Sequence, residues 1–376
     1  MKKYFYISVL ALFGVQGILP AQHILKSELN LPRPGDEILK QQVEYKDPGR
    51  SGANVLWDFS QLTVLNDAYE LAYSTPNDTI ITGTEHITQY HYVLQNDSLL
   101  LLGFDNPTTH LSDVQPEVLL KFPFQMGDSI GSYYYAHGKY GTRLEMDVMG
   151  TTKTVADSYG MMILPSKDTL KQVLRTRTVK YIAENTVPIS DSYYEKLKSP
   201  LNITKDSIKR RLAADTVLFV VETFRWYENG YRYPVFEVVR SWNQYKNNKD
   251  YTFLNTAFFY PPQEHYYLET DPENQTIIES KNENKKNLLL ESSIFNVFPN
   301  PMSSMLNIEI FIPIAAKIKI QVRSVSNKSV YINENKGKFA SGTYQFQFDV
   351  SQLPQGYYLV NIWADNYIFS ETLFKK

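Results

Sequence analysis

The chain has 376 residues, of which 43% are hydrophobic, 21% charged and 14% aromatic, with 28 Tyr and 20 Phe. That is too apolar and aromatic for a disordered chain, and 17 Gly and 19 Pro are too few for a collagen-like or low-complexity one. A formal net charge of -2 provides no basic field for nucleic acid, and the lack of Cys excludes disulfides, thiolate metal sites, a Cys nucleophile and a lipid anchor on Cys.

The first element is an address. Lys2 and Lys3 precede a stretch without charge from Tyr4 to Leu19, and Pro20, Ala21 and Gln22 follow. The stretch is shorter than the ~20 apolar residues of a spanning helix. Residues 1–21 therefore have the layout of a secretory signal peptide cut between Ala21 and Gln22, the alternative being an uncleaved anchor. No other run is apolar and long enough to span a bilayer, so no transmembrane segment is expected in the mature chain.

Residues 22–268 form a β-rich, sandwich-like passenger in this reading. Strand patterns rich in Tyr, Val, Ile, Thr and Phe occur at Thr79–Thr82, His86–Leu94, Ser98–Gly103, Tyr133–Tyr140, Arg143–Met149, Met161–Leu164, Val217–Tyr227 and Tyr231–Arg240. Asn229-Gly230 between the last two is a type I′ hairpin signal, because both residues tolerate positive φ. Helical spacing is scarce. Tyr193, Tyr194 and Leu197 make one short pattern, and Ile208 and Leu212 another, both within a polar excursion at 185–215 that is expected to be an insertion. Residues 269–292 carry nine charges of mixed sign and no sustained apolar period, the composition of a linker.

The last segment, 293–376, has the strictest pattern. Phe298-Pro299-Asn300-Pro301 is a Pro-bounded turn. Ile318, Ile320 and Val322 alternate with Lys317, Lys319 and Gln321, and Tyr344, Phe346, Phe348 and Val350 with Gln345, Gln347 and Asp349. A period of two over these lengths means strands with one wet face. Leu353-Pro354-Gln355-Gly356 is a tight turn before the apolar run from Tyr357 to Ile362, and Lys375 and Lys376 close the segment. Six or seven short strands in about eighty residues predict a small Ig-like β-sandwich.

With Phe298–Pro301, Leu353, Gly356, Tyr357, Lys375 and Lys376 in this order, the segment resembles the type A C-terminal sorting domain of the type IX secretion system of Gram-negative bacteria. The family often has Gly in a mid-domain turn where this chain has Ser324–Lys328; Asn327 is expected to supply the left-handed position. The resemblance implies outer-membrane secretion machinery and a surface protease as partners, and a final location at the outer cell surface or outside the cell. Pro34-Gly35-Asp36, Gly52-Ala53-Asn54 and Trp57-Asp58-Phe59-Ser60 resemble a group of secreted proteins with the same kind of tail, which implies secretion and all-β architecture and nothing further. The pattern Asp-Ser/Thr-aliphatic at Thr79, Ser98, Ser129, Thr169, Ser207 and Thr216 resembles the O-glycosylation sequon of bacteria that use this export route. Its structural alternative is a turn-ending Asp before a strand.

Chemical signals in the passenger are sparse. Gly127-Asp128-Ser129-Ile130-Gly131 matches G-x-S-x-G, but a nucleophile elbow needs a helix next, and Ser132–Tyr135 is a strand pattern. His86 and His91 have opposite parity on one expected strand and cannot share a metal. Glu222 and Glu237 lie on the two arms of the Asn229-Gly230 hairpin and approach each other in that reading, as a glycosidase pair would have to. The best binding candidate is the aromatic-basic cluster Arg225, Trp226, Tyr227, Tyr231, Arg232 and Tyr233 around the hairpin tip. Its rings stack on sugars and its Arg groups supply planar donors, unless the same rings only fill a core. No cofactor and no metal are expected. The passenger is expected to be a non-catalytic binding or adhesion module for a glycan or protein; the alternative is a secreted glycan or peptide hydrolase whose site is assembled from distant strands.

Overall fold

A computed structural model describes residues 23–77, 79–189, 203–246, 250–262 and 269–376. Ala21, Gln22, Tyr193, Tyr194 and Leu197 lie outside the described residues. The chain divides into two compact units, Met1–Gln275 and Thr276–Lys376, and the architecture is all-β.

In the larger unit a four-residue helix, α1 (Ser27–Asn30), is followed by β1 (Glu37–Val43), β2 (Gly52–Asp58), β3 (Val64–Asn77), β4 (Ile80–Glu85), β5 (Thr88–Gln95), β6 (Ser98–Asp105) and β7 (Thr109–Lys121). Then come β8 (Ser129–Tyr140), β9 (Leu144–Ile163), β10 (Thr169–Pro188), β11 (Val217–Tyr227), β12 (Phe236–Tyr245) and β13 (Tyr251–Phe259). Hydrogen bonding runs β10-β11-β12-β13-β1-β3-β4-β5-β6-β7-β8-β9 and returns to β10, since β9 and β10 also pair. Twelve strands thus close into an antiparallel ring among the described residues, which refines the sandwich-like expectation: the ring has no free sheet edge to protect. β2 is the extra strand, parallel to the far half of β9, with Gly52 opposite Ser158 and Asp58 opposite Ile163.

Residues directly opposed in a ladder share a face. Arg225 stands opposite Glu237, Glu237 opposite Phe258, and Phe258 opposite Gln42. Farther round, Tyr73 opposes Gly83, Gly83 opposes Tyr90, Tyr90 opposes Phe104, and Phe104 opposes Leu111. This face turns inward. Tyr92 on β5 is six strands from Arg225 in either direction round the ring, roughly 29 Å along the wall at about 4.8 Å per strand. The two groups nevertheless interact electrostatically, which requires them to meet across the interior. The opposite face of β11 and β12 is a dry aromatic core. Trp226 lies edge-on to Trp57 at 5.9 Å, Phe59 at 5.5 Å and Phe236 at 5.7 Å, with Met162, Leu164, Val173 and Val238 around them.

Several elements depart from the sequence expectation. β9 and β10 are single 20-residue strands where short ones were expected, because their ladder runs from Leu144 opposite Pro188 to Ile163 opposite Thr169. His86 is in the turn between β4 and β5 at φ 53°, not on a strand. β12 begins at Phe236 rather than Tyr231. Val235 still donates to the Trp226 carbonyl, but Pro234 has no N–H for a ladder, and residues 228–235 form a long loop in which only Gly230 of the Asn-Gly pair has a positive φ. The polar excursion contains α2 (Lys205–Ala214), capped by Thr204, whose hydroxyl accepts the Ser207 N–H at 3.2 Å, with Ile208 buried. The segment read as linker is largely a helix, α3 (Pro272–Ser292), and the division between units falls within it.

The smaller unit has β14 (Ile294–Phe298), β15 (Met305–Ile312), β16 (Ala316–Ser324), β17 (Val330–Phe339), β18 (Gly342–Asp349), β19 (Gly356–Ala364) and β20 (Tyr367–Lys375). They form a three-stranded sheet, β14-β15-β18, and a four-stranded one, β17-β16-β19-β20. Leu306, Ile308, Ile310 and Ile312 from one sheet and Ile318, Ile320, Val322, Val360 and Ile362 from the other make one core, so this is a sandwich as the alternation requires. The positive φ of the mid-domain turn falls on Lys328 (57°), while Asn327 accepts the Ser329 N–H at 3.0 Å.

Ring closure depends on close approach at Gly150 of β9, where a Cβ would overlap the Tyr181 carbonyl oxygen and lie 2.5 Å from the Tyr134 hydroxyl. Gly150→Val is expected to lower the stability of the larger unit by about 1–3 kcal/mol, read as a lower urea midpoint. The deletion Ile320→Ala in the sandwich core is expected to cost about 2–5 kcal/mol by the same measurement.

Candidate functional site

The six residues of the aromatic-basic cluster do not share one surface. Trp226 is the centre of the outer aromatic core, and Tyr231 packs at its margin. Arg232 is buried and fully engaged: Nε and Nη2 donate to Asp271 at 2.8 Å, Nη1 to the Leu31 carbonyl at 3.0 Å and Nη2 to the Glu28 carbonyl at 2.9 Å. It ties the 228–235 loop to α1 and the residue before α3. Tyr233 donates to Asp36 at 2.8 Å and stacks on Tyr73 at 5.4 Å. Arg225 and Tyr227 alternate with Trp226 and face the ring interior.

There they meet groups from five other strands and from Tyr260 just beyond β13. Arg225 Nε donates to Glu237 at 2.6 Å. Its Nη1 and Nη2 make no hydrogen bond among the described residues, and 42% of its side chain stays accessible. Burial disfavours the charge, yet Glu237 raises the guanidinium above its ordinary pKa, so it stays a cation. Glu237 is held low against its burial by Arg225 and by Lys40, 4.0 Å away. Lys40 itself pairs with Glu85 at 2.5 Å and lies over the Tyr69 and Phe258 rings at 4.7 and 4.4 Å. The phenols of Tyr73, Tyr92, Tyr227 and Tyr260 interact with Arg225 and have no hydrogen-bond partner among the described residues. Burial is the main force raising the pKa of all four, so each keeps its proton. Gly83 forms the floor: a Cβ there would lie 2.9 Å from Tyr73 Cε1 and 3.2 Å from Tyr92 Cε2. The result is a donor-rich chamber inside the ring. Sequence reasoning named three of its members, Arg225, Tyr227 and Glu237, the last in a different pairing. Lys40, Tyr73, Gly83, Tyr92 and Tyr260 belong to no linear motif, and the signal for them is face-sharing alternation such as Tyr90 with Tyr92.

The other candidates separate. Glu222 binds Arg177 and Arg240 on the outer face while Glu237 faces inward, so the two carboxylates do not approach each other. Gly127 turns at φ 91° and Ser129 opens β8 directly, so G-x-S-x-G forms no strand–turn–helix elbow. His86 packs on Tyr69 at 3.9 Å. His91 binds Thr82 and Asp105, and His110 binds the same Asp105, whose carboxyl they hold below its ordinary pKa against burial. No group of three or more His, Asp or Glu among the described residues has metal-site geometry. Of the six sequon hydroxyls, Thr79, Ser129, Thr169 and Thr216 are exposed and Ser98 is half-buried; Ser207 is also half-buried and sits on α2, not at a strand start.

In the smaller unit the motifs, far apart in sequence, converge. Asn300 Oδ1 accepts the Phe374 N–H at 3.0 Å, Met302 N–H donates to the Phe374 carbonyl at 2.8 Å, and Lys376 N–H returns to Met302 at 3.1 Å. Gly356 opposes Lys375 in the ladder, and the Tyr357 ring lies 5.1 Å from Phe374. Tyr358 locks the preceding turn by donating to the Pro354 carbonyl at 2.8 Å, and Leu353 N–H donates to Val350. Phe298–Pro301, Gly356-Tyr357 and the terminal lysines thus make one end of the sandwich, with Phe298 and Tyr357 exposed.

The larger unit is thus a closed β-ring and the smaller a sandwich whose motifs meet at residues 374–376. Residues 296–376 match the family described as secretion system C-terminal sorting domain. The tail is a type IX sorting domain, and it directs the chain to the cell surface or the extracellular space. Comparison with curated proteins returned no match. Among solved structures, the crystal structure of dimeric latent PorU from Porphyromonas gingivalis aligns over 91% of this chain and 34% of its own, at 7% identity and a TM-score of 0.18. The chain therefore spans about a third of that structure, and at this score the likeness carries no argument.

Inside the ring, Asp113 Oδ2 has no partner among the described residues, and Lys180 pairs instead with Glu117 at 2.6 Å. Burial, helped by Glu117 and opposed by Lys180, pushes the Asp113 carboxyl from 3.8 up to about 7. The folded state therefore holds this proton more tightly than the unfolded chain does. Its stabilising contribution is complete below about pH 4 and is lost as pH rises through about 7. The urea midpoint of the larger unit is expected to fall between pH 5 and 8, and Asp113→Asn is expected to flatten that fall.

Proposed function

We propose that the passenger, residues 22–268, is a non-catalytic binding module that takes its ligand inside the strand ring, at the chamber around Arg225, after residues 1–21 have been removed as a signal peptide. The observation that supports this is a guanidinium with two nitrogens, beside four phenols, that have no hydrogen-bond partner among the described residues. A folded interior normally satisfies such groups, and an accessible space lined by them favours a ligand that does so. Residues 269–292 join the module to the tail, residues 293–376, which docks on the outer-membrane secretion machinery and is removed there by a surface protease. The exposed hydroxyls of Thr79, Ser129, Thr169 and Thr216 are the sequon positions best placed to carry glycan.

Two measurements test this. In the native host, deletion of residues 296–376 is expected to leave the protein in the periplasm, and fractionation that finds the truncated chain at the surface would overturn the sorting role. Purified full-length protein is expected to gain thermal stability from at least one member of a panel of neutral and acidic mono- and oligosaccharides, with the gain reduced by Tyr92→Phe. Silence across the panel, or a response indifferent to Tyr92→Phe, removes sugar binding in the ring.

A further inference from the structure

We infer that the chamber at Arg225 takes a carboxylate carried on a hydroxylated ring, a uronic acid in chemical class; this rests on the binding-module reading and names the ligand class of the same site. Arg175 donates from Nε and Nη2 to Asp157 and from Nη1 to the Pro48 and Gly49 carbonyls. Arg232 is equally engaged, through Asp271 and two carbonyls. Among the described residues Arg225 uses only its Nε edge, on Glu237, and the outer edge of Nη1 and Nη2 makes no hydrogen bond. That edge presents two parallel N–H groups, the fork that a planar carboxylate accepts in bidentate fashion.

Charge does not oppose an incoming anion. Among the described residues, Glu237 and Glu85 are balanced by Arg225 and Lys40: Glu237 accepts from Arg225, and Lys40 pairs with Glu85 and lies 4.0 Å from Glu237. Space is present as well, since 42% of the Arg225 side chain is accessible although it faces the ring interior. Gly83 lets the Tyr73 and Tyr92 rings keep their places: a Cβ there would come within 2.9 Å of the first and 3.2 Å of the second.

The phenols favour a hydroxylated ring over a bare anion. Tyr73, Tyr92, Tyr227 and Tyr260 offer hydroxyls that both donate and accept, and ring faces against which the C–H face of a sugar packs. A small inorganic anion would satisfy the guanidinium and leave these hydroxyls without partners.

The test is calorimetric titration of the purified full-length protein with sodium glucuronate, glucose and sodium sulfate. Glucuronate is expected to bind more tightly than either of the others. Arg225→Gln is expected to weaken glucuronate by at least about tenfold, because a charge-assisted bidentate contact is lost. Arg225→Lys, which keeps the charge but not the fork, should recover part of this, and Tyr92→Phe should weaken binding a few-fold with the ring retained. Near-UV circular dichroism checks that each variant is folded; if Arg225→Gln is not, Arg225→Lys and Tyr92→Phe decide. Glucose binding as tightly as glucuronate, or glucuronate affinity unchanged by both Arg225 variants, overturns the acid class. Sulfate matching glucuronate overturns the hydroxylated ring. Neutral-sugar binding that depends on Tyr92 but not on Arg225 would sink this inference and leave the binding module standing, whereas no binding by any sugar, acidic or neutral, removes this inference together with sugar binding in the ring.

Discussion

The ladder between β9 and β10 is the interaction on which the larger unit depends. It runs the full length of both strands, and β10 pairs on its other side with β11 while β9 pairs with β8. Without it the remaining strands would be one long open sheet with two exposed edges. With it, opposite walls face each other, and every second side chain on the ring points toward the others. An enclosed interior cannot hold isolated charges cheaply. The cations there accordingly have carboxylate neighbours: Lys40 with Glu85, Arg225 with Glu237, Lys180 with Glu117. Asp113 is the exception, and burial keeps it a weak acid.

β11 shows how one strand serves two purposes. Its even positions, Val220, Glu222, Phe224 and Trp226, are buried on the outer face. There they meet β12 and the β2 layer, where Trp57 and Phe59 cover Trp226. Its odd positions, Arg225 and Tyr227, enter the ring. The dry face secures the strand, and the wet face is thereby free to carry groups that contribute little to stability. A polar chamber beside a close-packed aromatic core is a direct outcome of a period of two.

In the smaller unit the arrangement serves delivery. Its core is aliphatic and continuous across two sheets, while its motifs gather at one end through backbone bonds between residues about 300–302 and 374–376. Removing the last residues would therefore remove the bonds that Asn300 and Met302 make to residues 374 and 376, which ties the shape of this end to the terminal strand.

How much of this was legible depended on how local its cause was. Alternation from Ile318 to Val322 and from Tyr344 to Val350 identified strands and their buried faces, because a strand's two sides are set by its own backbone. The order Phe298–Pro301, Leu353–Tyr357, Lys375-Lys376 identified the sorting tail for the same reason. Tyr231–Arg240 was read as one strand because its composition is strand-like, but Pro234 and the Arg232–Asp271 pair draw the first half out of the ladder. Residues 272–292 showed no apolar period, and their helix is formed nonetheless; Asn274 beside Asp271 and buried Leu289 are points at which it is held. Arg225 and Tyr227 were singled out with Trp226 as one cluster, though alternation alone puts Trp226 on the other side. The sequence by itself determined that this chain is built of strands, carries an export tail and lacks thiol chemistry, since composition, period and motif order act within a few residues. Only the tertiary structure decided that β1 pairs with β13, and hence which side chains share an interior with Arg225: strands more than 200 residues apart become neighbours through backbone hydrogen bonds that look the same for every residue type.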